Sequence, residues 1–347
     1  MLIKSEQAFV HIGLEKTGST FLQDFLQLNS EKLVKIGFCK SMASMGRNHF
    51  RLALLGQDKN SVATQVNTYC QIPIDSVEDS NRSLLDLISQ AHNSGCRFLA
   101  SSELISSTVL EMSEIERFKD RLDSIFINVK ILLFVRRQEQ LLLSRYSTAI
   151  IHGRHHMFPN NIDKVSVPPS IDLIAILSKW QRIFGENLLV LPYFEDFERT
   201  ELVHRFFHSL GVSESELRDF VWPENNSNSS MSATGLETLR RLNQNIEKTP
   251  SELQNQIVGY IRDRTQDEGK FGVTESFHEQ LVTKFMSVNK RASYFLDPLE
   301  RENFLIGRSQ NSKFSTSPNP DLVEVLLEEI VRLFYKNDSA ISKLLLN

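Results

Sequence analysis

The sequence predicts an α/β fold, a three-layer sandwich around a central parallel sheet, from three observations. Four short runs, Phe9–Ile12, Phe98–Ser101, Val129–Val135 and Leu188–Leu191, are apolar and partly β-branched, as strands buried on both faces must be. Segments of helical period separate and follow them, which is the alternation that builds a parallel sheet. The first run feeds a turn, Gly13-Leu14-Glu15-Lys16-Thr17-Gly18-Ser19-Thr20, that opens directly into a helix. Ligands of such sheets bind at the carboxyl ends of the strands.

In chain order, Phe9–Ile12 is the first strand, and Leu22, Phe25 and Leu26 give the first helix its apolar stripe. The stretch from 38 to 80 has mixed patterning and receives no assignment. Leu84, Leu87, Ile88 and Ala91 repeat at i, i+3, i+4 and i+7 and predict the second helix. The strands at 98–101 and 129–135 follow, then helices near 138–151 and 171–184, the strand at 188–191 and a helix near 199–210. After Trp222-Pro223 a polar connector, Glu-Asn-Asn-Ser-Asn-Ser-Ser, precedes a stretch expected to be wholly helical, near 233–247, 250–264, 276–292 and 320–336. The expected organisation is one domain over residues 1–347, with an α/β core to 222 and a helical part, 223–347, packed on it.

Composition narrows the class. The chain has 347 residues, 41% hydrophobic and 24% charged, with a net charge of -4. That is the make-up of a globular protein, and the weak charge argues against a nucleic-acid partner. No signal peptide or run of 18 apolar residues is present, so no transmembrane segment is expected and the cytoplasm is the expected compartment. The three cysteines, Cys39, Cys70 and Cys96, are too few and scattered for a disulfide framework or a C-x-x-C metal site, and each reads as a buried or incidental thiol. Asn228-Ser229-Ser230 matches a glycosylation acceptor and reads as chance in a chain without a secretory signal.

The first turn is suited to an anion, because a helix N-terminus offers N–H groups and the positive end of its dipole. Gly13 and Gly18 have the spacing of an ATP-binding loop, yet serine follows Gly18 and the lysine, Lys16, comes two residues before it. The second informative segment is the third strand, which ends in Arg136-Arg137, with Ser144 and Tyr146 about two turns into the next helix. An arginine there can fork onto a phosphate. It can equally pair with a carboxylate on the sheet rim.

Together the two segments resemble the sulfotransferase superfamily of the carbohydrate and bacterial type, whose donor is 3′-phosphoadenosine 5′-phosphosulfate (PAPS; product PAP). Lys16-Thr17-Gly18-Ser19-Thr20 matches the family's Lys-x-Gly-[ST]-[ST] loop for the 5′-phosphosulfate. Arg136 and Ser144 match its Arg…Ser pair for the 3′-phosphate, in order and spacing, and Tyr146 fits the common extension. Arg137 and Gln138 stand where Asp/Asn-Pro often follows the arginine. Leu189–Phe197 with the helix to Gly211 is similar to a late strand and helix of the family, so the likeness covers about residues 8–212. The Phe285…Asn289-Lys290-Arg291 stretch matches only loosely.

The resemblance implies a P-loop-like nucleotide-binding fold and sulfuryl transfer to a hydroxyl or amine of a carbohydrate or glycolipid acceptor, possibly anionic, with no metal. Lys16 would neutralise the bridging oxygen, and Ser19 and Thr20 would bind nonbridging oxygens. Glu103, just past the second strand, is similar to the glutamate base of glycosaminoglycan-type members; close to an expected helix start, it also reads as a solvated or helix-capping carboxylate. His49 is the competing base. Arg145 and the loop Ile151-His152-Gly153-Arg154-His155-His156 are candidates to line a cleft for an anionic acceptor or to close over the cofactor, or read as a solvated basic loop. Tyr193 and Trp180 read as core or as adenine-stacking groups. Two other readings stay open, a nucleotide kinase or NTPase with a displaced lysine and a non-catalytic nucleotide-binding relative.

Overall fold

A computed structural model describes residues 5–39, 48–57, 77–92, 96–195, 198–224, 231–246, 251–306 and 314–334. Cys70 and the Asn228-Ser229-Ser230 triplet lie outside them. The element order is β1 (Ser5–His11), α1 (Ser19–Leu28), α2 (Ser30–Lys35), a 3-10 turn (Phe50–Gly56), α3 (Val77–His92), β2 (Phe98–Ser101), α4 (Glu103–Thr108), α5 (Met112–Asp123), β3 (Phe126–Val135) and α6 (Gln138–Ile151). Then come α7 (Leu173–Phe184), β4 (Leu188–Pro192), α8 (Arg199–Ser209), α9 (Ala233–Asn245), α10 (Ser251–Thr265), β5 (Lys270–Phe271), α11 (Glu275–Ser293), α12 (Arg301–Ile306), β6 (Phe314–Ser315) and α13 (Pro320–Phe334).

β1 to β4 form one parallel sheet in the order β2-β1-β3-β4, with β1 central. Val10 sits beside Ala100 on one side and Ile131 on the other. The chain steps from β1 to β2, then crosses back over β1 to β3, so the strand order reverses beside β1. In open α/β sheets that reversal opens a crevice at the carboxyl ends, where ligands bind.

The chain divides into two compact units. The first holds Met1–Gln138, Val167–Asn225 and Ser287–Arg308, and therefore the sheet. Its core is aromatic: Phe25 packs against Phe207, Phe220 and Trp222, with ring centroids 4.9–5.7 Å apart. Contacts of this kind add to simple area burial. The second unit holds Glu139–Ser166, Asn226–Met286 and Ser309–Asn347. There Leu236, Leu239 and Leu242 of α9, Ile257 and Ile261 of α10, and Leu326 and Ile330 of α13 share one core. The C-terminal stretch is not wholly helical, because β5 and β6 pair as a two-residue parallel ladder within this unit.

One expectation is overturned. Cys39 and Cys96 are joined in a disulfide with Cα atoms 4.9 Å apart. The sequence hides this because 57 positions separate them; the backbone brings them together. Phe38 bridges Arg97 as a one-residue extension of the sheet beside β2. Cys39 N donates to Arg97 O (2.8 Å), and Arg97 N donates to Gly37 O (2.9 Å). Arg97 further stacks its guanidinium over the Phe38 ring and donates to Ile36 O (2.8 Å).

Candidate functional site

β1 ends at His11 and α1 begins at Ser19, leaving residues 12–18 to make the turn. Gly13 (φ 45°), Lys16 (φ 70°) and Gly18 (φ 80°) all lie in the left-handed region. Among the described residues Lys16 is the one non-glycine found there. An L-residue in that region carries roughly 1–2 kcal/mol of steric cost. Such strain persists where surrounding structure imposes it, and it gathers at ligand sites. Positive-φ positions in a tight turn let successive N–H groups converge on an anion.

Two glycines permit close approaches. A Cβ at Gly18 would stand 2.6 Å from Leu202 Cδ2, and one at Gly13 would stand 3.3 Å from Glu103 Cβ. Gly18 is also the N-cap of α1 and supplies no side-chain cap. The first N–H groups of α1 therefore have no capping side chain from Gly18.

The predicted loop residues divide by role. Lys16 is exposed. Thr17 is wholly buried and its hydroxyl donates to Leu14 O at 2.7 Å, so this side chain braces the loop, leaving only its backbone for a ligand. Ser19 is buried and Thr20 half-buried at the helix start.

Arg136 does reach the loop. From the carboxyl end of β3 its guanidinium donates to Lys16 O at 3.1 Å, ion-pairs with Glu195 and lies 5.5 Å over the Tyr193 ring. Its partner is thus a rim carboxylate, the alternative that the strand-end arginine left open. Arg136 ties the loop after β1 to the chain after β4. Arg137 is half-buried and donates to Ile306 O at 3.3 Å. Ser144 lies on α6 in the second unit, where its carbonyl accepts from the Thr148 hydroxyl (3.0 Å).

Glu103 opens α4 and is anchored on the turn. Ser102 N donates to His11 O (2.8 Å), and the Ser106 hydroxyl donates to Gly13 O. These bonds seat the first turn of α4 against residues 11–13. The Glu103 carboxylate accepts from Gln23 Nε2 at 2.6 Å.

His49 is held differently from Glu103. It is buried, its N–H donates to Ser101 O (3.1 Å) and its Nδ1 accepts from Ser101 N (3.1 Å). Burial lowers its pKa to about 4. It is a neutral brace for the end of β2, with Nδ1 already used.

Two residues of this cluster escaped sequence reading. His11 is fully buried between Phe134 and Phe206 and bonds Ser101 Oγ through Nδ1 at 2.8 Å, with its pKa lowered to about 3 by desolvation. Gln23 is buried on the face of α1 that also carries Ser19, Leu22 and Leu26. A lone amide on an apolar helical stripe is the signal that could have found it.

In the second unit, Tyr146 packs edge-on against His156 and Phe158 (5.6 and 5.2 Å). Asn243 donates to Ile150 O and Arg154 O (2.7 and 2.9 Å), fixing the loop that exposes His152, Arg154, His155 and His156. Trp180 is core, packed on Phe118 and Phe184.

No protein-family model, curated protein or solved structure matches this chain.

Proposed function

We propose that the chain is a PAPS-dependent sulfotransferase of P-loop-like, three-layer fold acting on a carbohydrate-type hydroxyl or amine. The observation that carries the reading is the turn after β1: Lys16 held in a left-handed conformation, an uncapped helix start, and Glu103 seated across Gly13. An anion cradle facing a carboxylate suits transfer of an anionic group to an acceptor that must lose a proton.

Bound PAPS would supply an activated sulfuryl group, whose sulfur–oxygen bond to phosphate breaks as the acceptor–sulfur bond forms, the electron pair leaving with PAP. Lys16 would place its ammonium where negative charge grows on the leaving oxygen. The N–H groups at Ser19 and Thr20 would hold the nonbridging oxygens. Glu103 would take the acceptor's proton, since His49 Nδ1 is occupied by Ser101 N. Arg136 would reach a 3′-phosphate by exchanging the Glu195 carboxylate for it.

The test is transfer of labelled sulfate from PAPS to a panel of saccharides. Lys16→Ala should lower turnover by about 10²-fold with the fold intact, the usual size for loss of one electrostatic stabiliser. Turnover near the wild-type value in that variant would remove the assignment.

A further inference from the structure

We propose that Gln23 is the positioning residue for the Glu103 carboxylate, a role that rests on the reading of Glu103 as the base. Gln23 is 2% exposed, and a primary amide so placed costs roughly 1–3 kcal/mol unless its N–H groups are bonded. Its Nε2 donates to Glu103 Oε2 at 2.6 Å and to Ser101 Oγ at 3.4 Å, both at the end of β2 and the start of α4. The first is a charge-assisted bond, the stronger and more directional kind.

Ser101 is itself fixed from behind. His11 Nδ1 meets its hydroxyl at 2.8 Å and His49 Nδ1 accepts from its N–H at 3.1 Å. Both imidazoles are neutral at ordinary pH, with pKa values lowered by burial to about 3 and about 4. They add shape and hydrogen bonds to the cluster without adding charge.

Gln23 lies four residues after Ser19, one turn along the helix that the anion turn opens, so the two side chains are neighbours on one face. The position of the carboxylate is thereby set from the same rigid element that would hold the sulfuryl group. Misplacing a catalytic group by about 1 Å can cost on the order of 10²-fold in rate. A group that fixes this spacing acts on turnover, and donor binding is left alone.

The experiment is a cycle of Gln23→Met, Glu103→Gln and the double variant in the full chain. It measures PAP affinity by calorimetry, turnover and KM with PAPS, and the crystal structure of Gln23→Met. Methionine keeps the volume and deletes the donor. We expect turnover to fall about 10- to 100-fold, with PAP affinity and PAPS KM within about twofold. The double variant should be no slower than Glu103→Gln alone, and the Glu103 side chain should leave its single position.

Independent, multiplying losses would overturn the role, as would a loss of PAP affinity matching the loss of turnover, or an unmoved Glu103. If Gln23→Met does not fold, Gln23→Asn keeps the amide but draws it back from Glu103, and the same split is expected. A wild-type chain that neither binds PAP nor transfers sulfate removes the sulfotransferase reading and this role with it. An active wild type with multiplying losses removes this role alone.

Discussion

Lys16 is held at φ 70° while its carbonyl accepts from Arg136, so a single arginine ties the strained turn to Glu195. The desolvated pair predicts two opposite substitutions. Arg136→Ala takes the guanidinium away from the largely desolvated Glu195 carboxylate, and removing one member of a buried ion pair costs about 3–5 kcal/mol. The urea midpoint should fall accordingly. Glu195→Gln removes the carboxylate that a 3′-phosphate would have to displace, so PAP should bind several-fold more tightly while 5′-AMP is unaffected. Equal change for both nucleotides would direct attention to Arg137. At this scale the sequence was informative about type and order: the lysine, the arginine and Glu103 meet on one sheet edge, as their strand-end positions imply. Orientation was not legible, because whether Arg136 faces Glu195 or a ligand depends on where the chain after β4 returns, and Thr17 turns inward only because Leu14 O lies beneath it.

The last residue of β1, and the residue before the 3-10 turn that bonds the end of β2, are two buried histidines, His11 and His49, whose protonation opposes folding. The unfolded chain binds a proton at each below its ordinary value of 6.5, whereas folded His49 resists until about 4 and folded His11 until about 3. The unfolded state therefore holds more protons between pH 6.5 and 4, and stability falls as pH falls through that window. The loss is up to about 1.4 kcal/mol per pH unit for each histidine. Urea midpoints at pH 7.5, 6.0 and 5.0 should decline in step, and His49→Asn should shallow the slope; a flat profile would contradict the burial of both rings. Elements with a periodic apolar signal were legible, and β2, predicted over 98–101, is found at Phe98–Ser101. α5 was not, because its sequence, MSEIERFKDRLD, is mostly charged and its start is a Glu111–Glu114 capping box using glutamate in place of serine or threonine.

For the molecule as a whole, the sheet was readable because buried parallel strands are written as unbroken apolar runs, whereas the division into units was not. Residues 139–166 group with the helical unit and 287–308 with the sheet unit, a long-range sorting that no local pattern records. The Cys39–Cys96 bond is equally non-local. It closes a separation of 57 residues, for which chain entropy gives about 4 kcal/mol. Reduction should lower the thermal midpoint, and alkylation before and after reductant should differ by two thiols; two thiols already reactive in the native protein would refute the pairing. No helix among the described residues is long and apolar enough to cross a membrane. The claim that the turn at Lys16 serves a phosphosulfate donor is tested most directly by calorimetric titration with 3′,5′-diphosphoadenosine beside ATP with Mg²⁺. Saturable, tight binding of the diphosphate with none of ATP is the predicted result, and binding of ATP with Mg²⁺ alone would contradict it.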